Sequence, residues 1–219
     1  MDPQGWAVGS VVEQLGRAQV LSLAHFKGVS DDPWALLATW RPRVARHVVT
    51  FWRPPPQGAV KLNTDARVAR KKVAGGGLLR DHKGRLIFAF YKEFGEVDVL
   101  TAESLALLQR LLFCNRGRVQ RLLVEVDSEG LVRLLDSGGL AKWPLCNSLR
   151  QIKALLQSFN ATTVHIFREV NAATDKLAAM DLEDDFFCMS SLQLPREVRA
   201  IVLLDSRGVP CVRTQVGRA

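Results

Sequence analysis

Four carboxylates carry the chemistry available to this chain: Asp65, Glu103, Asp127 and Asp175. Asp65 ends the apolar-alternating run Ala59-Val-Lys-Leu-Asn-Thr-Asp65. Glu103 opens a predicted helix in Leu100-Thr-Ala-Glu103-Ser-Leu-Ala-Leu-Leu. Asp127 ends the strand-like Leu122-Leu-Val-Glu-Val-Asp127, and Asp175 opens a helix in Asn171-Ala-Ala-Thr-Asp175-Lys-Leu-Ala. If the four converge, they form a metal site able to cleave phosphodiesters. That reaction needs an activated water and an offset for charge on the leaving oxygen, which two divalent ions about 3.5–4 Å apart can supply. Hard ions such as Mg²⁺ favour carboxylate oxygens. Gathered acids repel one another, so such a site favours metal and can hold a proton without it. Asp65 is the expected bridging ligand, with Glu103 and Asp127 on one side and Asp175 completing the second ion's shell.

Each acid also has a structural role open to it. Asp65 fits a strand-end turn, Glu103 a capping box, Asp127 a helix cap, and Asp175 a first-turn acid stabilised by the helix dipole. The order of all four along the elements favours a shared site. Other acids compete poorly: Glu125 lies deeper on its strand, Asp81 belongs to a turn, and Glu183-Asp-Asp185 reads as a solvated run.

The elements that must position these acids follow from periodicity. Strands are predicted over Ala59–Asp65, Gly75–Arg80 and Arg85–Tyr91, the last two joined by the turn Asp81-His-Lys-Gly84 as a hairpin. Thr101–Asn115 is an amphipathic helix with Leu105, Leu108, Leu111 and Leu112 on one face. Val119–Asp127 is a continuous apolar strand of the kind buried in a parallel sheet. Helices are predicted over Ser128–Asp136, Leu145–Phe159 and Ala172–Met180, with a strand over Thr162–Phe167. This is an α/β pattern. Residues 59–181 form the expected domain, preceded by the extended linker 53–58 with Pro54-Pro-Pro56 and by an extension over 1–52. In that extension Val11–Phe26 and a segment capped by Asp32 are helical candidates, and Trp6, Trp34, Trp40 and Trp52 are scattered packing residues. Residues 182–219 read as a tail lying on the domain, with a short helix possible over Arg196–Leu204.

The formal charge is +8, with most of the excess inside residues 59–181, which favours a polyanionic partner such as nucleic acid. The basic stretch Arg67-Val-Ala-Arg70-Lys71-Lys72 is the expected nucleic-acid contact. Cys114, Cys146, Cys188 and Cys211 form no C-x-x-C pair, which argues against zinc; Cys114 reads as a buried thiol, and a reducing intracellular compartment, nucleus or cytoplasm, is expected. The chain has no long apolar stretch for a membrane span and no signal-peptide start, and a monomer is the default. A Gly-x-Ser-x-Gly elbow is missing, and Gly75-Gly-Gly77 is not followed by a phosphate-loop Lys-Ser/Thr.

The joint pattern resembles the plant retroelement-type, reverse-transcriptase-associated ribonuclease H-like domain. The motifs are Lys61-Leu-Asn-Thr-Asp65, Gly75-Gly-Gly-Leu-Leu-Arg-Asp81, Ala102-Glu103, Val124-Glu-Val-Asp127-Ser128, and Arg168-Glu-Val-Asn171 with Asp175-Lys-Leu-Ala178. The resemblance spans Trp52 to about Met180. It implies a five-stranded mixed sheet, its first three strands antiparallel, flanked by helices. It implies endonucleolytic cleavage of the RNA strand of an RNA–DNA hybrid with two Mg²⁺ or Mn²⁺ ions on Asp65, Glu103, Asp127 and Asp175, and RNA selectivity through 2′-hydroxyl contacts.

The chain departs from that pattern in four places. Ala66 stands where the family usually has Gly, and its Cβ is expected to restrict backbone approach to substrate. The Arg67–Lys72 loop is unusually basic. His165 lies in a strand, reads as half-buried, and is assigned no catalytic role. A basic helical handle is missing, with Lys142-Trp143 a partial replacement. These departures motivate a second reading, a retroelement-derived module that keeps the fold without turnover and binds nucleic acid or a protein.

Overall fold

A computed structural model describes residues 43–218 apart from 70, 71, 118, 138–140, 181 and 183. The helices expected before residue 42, with Trp6, Trp34 and Trp40, lie outside the described residues. The strands are β1 (Arg43–Thr50), β2 (Val60–Ala69), β3 (Lys72–Arg80), β4 (Leu86–Gly95), β5 (Leu122–Val126), β6 (Thr163–His165), β7 (Phe186–Cys188) and β8 (Cys211–Arg218). The helices are α1 (Val99–Arg116), α2 (Glu129–Ser137), α3 (Leu145–Ser158), α4 (Ala172–Ala178) and α5 (Arg196–Ser206).

Six strands form one mixed sheet in the order β6-β5-β2-β3-β4-β7, and β1 pairs with β8 in a separate two-stranded sheet. β2, β3 and β4 run as an antiparallel meander, while β5 lies parallel to β2 and β6 parallel to β5. The sheet therefore has one strand more than expected. The sixth, β7, pairs antiparallel with β4 and comes from the segment expected to be a tail. Its apolar alternation explains this: Cys188 is buried on one face, and the Phe187 ring meets Phe88 at 5.8 Å and Phe113 at 5.1 Å on the other. The acidic run before it masks that signal in the sequence.

Two cores sit on the two faces of the sheet. On one, Leu62, Phe88, Phe90 and Val124 pack with Leu107 and Leu111 of α1, Leu131 of α2 and Ile152 of α3. On the other, Leu78, Ala89 and Tyr91 pack with Ala173 and Leu177 of α4 and Val198 and Val202 of α5. Each such large apolar side chain, fully buried, stabilises by roughly 1.5–3 kcal/mol. Residues His47–Arg213 form one compact unit, wider on both sides than the expected 59–181.

A buried polar network ties the flanks to the sheet. Arg80, 1% exposed, donates to Asp205 of α5 at 2.6 Å and to Asn63 Oδ1 at 3.0 Å. The same Asn63 oxygen accepts from Trp52 Nε1 at 3.1 Å, and the Arg80 guanidinium stacks 3.6 Å over the Trp52 ring. Asn63 Nδ2 donates to Glu125 at 3.0 Å, and Lys61 Nζ bridges Glu125 at 2.5 Å and the Arg53 carbonyl at 2.6 Å. Glu125 is thus committed to this network.

Candidate metal centre

Alternation along β2 sends Lys61, Asn63 and Asp65 to one face and Leu62, Thr64 and Ala66 to the other. Asp65 was expected at a strand end, but β2 continues to Ala69, so it sits mid-strand opposite Gly76. It is 4% exposed. The glycines of β3 bring the other acids to it. A Cβ at Gly76 would lie 2.7 Å from the Ala178 nitrogen of α4, and one at Gly75 would lie 2.8 Å from the Ala106 methyl of α1. Ala178 and Ala106 each follow an acid by three residues, Asp175 and Glu103, and so share its helix face. Side-chain-free strand positions let both helices dock close enough to carry their acids toward β2.

Glu103 stands in the second turn of α1 rather than at its opening. The cap is Asp98, whose side chain accepts from the Thr101 nitrogen at 2.9 Å, and bonds from Thr101 hold the Asp98 carboxyl below its ordinary range. Glu103 itself is buried at 8% exposure. Asp127 follows β5 directly. The cap bond of α2 comes from the next residue, where Ser128 Oγ accepts from the Leu131 nitrogen at 3.4 Å, which leaves Asp127 free of that duty. Buried Asn171 anchors the start of α4: its Nδ2 donates to the Thr64 carbonyl at 3.2 Å, and its Oδ1 accepts from Thr174 at 2.9 Å.

Asp65, Glu103 and Asp127 offer oxygens that all lie within 4.8 Å of one another. Asp65 Oδ2 and Asp127 Oδ1 are buried with no hydrogen-bond partner. Burial first, then the charges of Asp127 and Asp175, pushes Asp65 up to about 8. Burial, then Asp127 and Asp65, pushes Glu103 up to about 8. Asp127 is also raised, chiefly by burial. Buried, unpartnered and mutually repelling carboxylate oxygens fit a hard divalent cation, which would supply the missing partners and the missing positive charge.

Asp175 borders this trio but is not among the three. Arg168 grips it through Nε at 2.9 Å and through Nη2, and Arg67 Nη1 approaches to 3.7 Å. Its charge still reaches Asp65 and Asp127. The expected four-acid convergence thus resolves into three acids in mutual reach and a fourth held at the edge by arginines. Arg168 was not foreseen. Its signal was its spacing, seven residues before Asp175 across the one-turn 3₁₀ helix Arg168–Val170, which returns the chain toward α4.

The expected nucleic-acid contacts divide. Arg67 lies on β2 with a half-exposed side chain, so it belongs to a strand rather than to a loop. Lys72 opens β3, and Arg70 and Lys71 lie outside the described residues. Ala66 lies on the opposite face of β2 from Asp65 and packs with Val73 and Ala102. His165 is exposed, not half-buried, and its ring meets Phe167 edge-on at 6.0 Å. Trp143 is 80% exposed. Among the described residues, no helix is long and apolar enough to cross a membrane.

A mixed sheet in this order, helices on both faces and acids at the centre define a ribonuclease H-type fold. The RNase H1 of the archaeon Halobacterium salinarum matches with a TM-score of 0.50 at 20% identity, over 54% of this chain and 93% of that one. The N-terminal RNase H domain of a Mycobacterium tuberculosis protein matches with a TM-score of 0.50 at 19% identity, over 55% and 90%. The chain belongs to the Reverse transcriptase-like family, whose pattern matches residues 63–181. A provisionally named ribonuclease H protein of Arabidopsis thaliana is 34% identical over 146 residues, 65% of this chain. The match spans only 23% of that relative's length.

Proposed function

We propose that this protein hydrolyses the RNA strand of RNA–DNA hybrids, using Mg²⁺ or Mn²⁺ held by Asp65, Glu103 and Asp127, with Asp175 serving a second ion. The observation that carries the reading is the trio of clustered acids, two of them buried and the third half-buried, with two unpartnered oxygens. Bound divalent ions would supply an activated water and offset charge on the leaving oxygen. The chain's own residues prepare that chemistry. Central Asp65 faces both neighbouring acids and stays protonated near neutrality without metal. The Ser128 hydroxyl opposes part of the upward shift of Glu103. Arg168, more than half exposed, orients Asp175 and offers positive charge where a phosphate backbone would approach. The name of the Arabidopsis relative supports the same reaction class.

The second reading, a binding module without turnover, draws on one observation: the fourth acid is already engaged by arginines. A single experiment separates the two. A labelled RNA–DNA hybrid is incubated with the protein and Mg²⁺ or Mn²⁺, beside Asp65→Asn. Metal-dependent cleavage of the RNA strand alone, reduced at least about 10²-fold in the variant, is the expected result. Binding without cleavage by the folded wild type would overturn the nuclease and leave the binding module.

A further inference from the structure

The family match ends at residue 181, yet a strand far beyond it packs against Phe167, the residue before Arg168. Arg213 of β8 places its guanidinium 3.7 Å over the ring of Phe167. Phe167 is 39% exposed and immediately precedes Arg168, whose guanidinium grips Asp175. His165, at the end of edge strand β6, is exposed and lies edge-on to the same ring.

The charges on this shelf are unbalanced. Asp175 is shared by Arg67 and Arg168. Arg213 has no ion pair among the described residues; its Nη1 is buried without a hydrogen-bond partner, while the residue as a whole is partly exposed. A guanidinium packed over an aromatic ring loses little freedom when its accessible edge meets a phosphate, and paired aromatic and arginine surfaces suit a nucleic-acid strand. Phe167 is the chain neighbour of the arginine that grips Asp175, which sets this aromatic and arginine pair next to the border of the acid site.

We propose that Arg213, presented by Phe167, is a phosphate-contacting residue for the nucleic acid delivered to the acid cluster, contributed by a strand outside the family's matched region. The inference rests on the functional reading above in taking nucleic acid as the ligand, but it does not require turnover. The test is binding of a short labelled RNA–DNA hybrid by the full chain without divalent metal, followed by anisotropy across a salt series. Arg213→Ala should weaken binding on the order of tenfold at low salt and reduce the slope of log affinity against log salt by about 0.9, one phosphate contact. Arg213→Lys should keep the slope while losing part of the affinity. If Arg213→Ala lowers the melting temperature, Arg213→Gln, which keeps the packing stem, carries the same expectation. Unchanged affinity and slope in a folded Arg213 variant would overturn the contact. Poly-glutamate bound by the wild type as tightly as the hybrid, and lost in Arg213→Ala, would overturn the nucleic-acid assignment in favour of an acidic protein. Arg213-dependent binding without hybrid cleavage would leave the contact standing and sink only the nuclease. A wild type that binds no hybrid would overturn both.

Discussion

Asp65 holds a proton at neutral pH because water cannot reach it and two other acids face it. Its folded value, about 8, lies above the ordinary 3.8. The folded state therefore binds more protons than the unfolded chain between these limits, and stability falls as pH rises through them. Metal-free Asp65→Asn should melt above the metal-free wild type at pH 9 by at least about 2–4 °C, with the gap closing below pH 4. A gap that does not change with pH, followed by calorimetry in chelator, would remove the raised acid. Of the four acids, Asp65, Glu103 and Asp127 were legible as a cluster because all three fall in or directly beside strongly periodic segments, even though Asp65 lies mid-strand and Glu103 in the second helical turn. The engagement of Asp175 was not legible, since it depends on where a one-turn 3₁₀ helix aims Arg168. Asn171 was legible only as part of a motif, because its role depends on the Thr64 carbonyl of a distant strand.

Within residues 59–181 the elements were read closely from periodicity, and the errors there fell at their ends; strands β1, β7 and β8 outside that range were not read. β2 and β3 run further than expected because Arg67 pairs with Ala74 and Val68 with Val73 across the hairpin, although the basic run over 67–72 suggested a loop. α1 starts earlier because Asp98 caps it, a residue whose signal was available but unused. β3 illustrates a conflict that pattern reading cannot resolve. Three consecutive glycines weaken a strand on propensity grounds, yet here they admit a helix on each face. Gly76→Ala should therefore destabilise by about 1–3 kcal/mol through overpacking against Ala178, contrary to the gain that strand propensity alone would give, and should weaken Mn²⁺ binding by shifting α4. Equal or greater stability in urea unfolding would mean that α4 does not rest on that strand.

At the scale of the molecule, the C-terminal segment is built into the core. The pairing of Arg80 with Asp205 crosses 125 residues, and a buried cation left without its partner is costly. Asp205→Ala should lose about 3–5 kcal/mol, and Arg80→Met combined with it should recover part of that loss; additive losses in the double variant would show that the pair is not the origin. No periodicity announces this link, because a lone Arg after a glycine run and a lone Asp near a helix end carry no pattern connecting them. The same gap explains why the segment read as a tail. Its consequence concerns synthesis on the ribosome. The N-terminal meander emerges early with Arg80 unpaired and the outer edge of β4 open, and both wait for residues 186–206. Throughout that interval the nascent chain presents an unclosed sheet edge of the sort that invites mispairing between neighbouring chains.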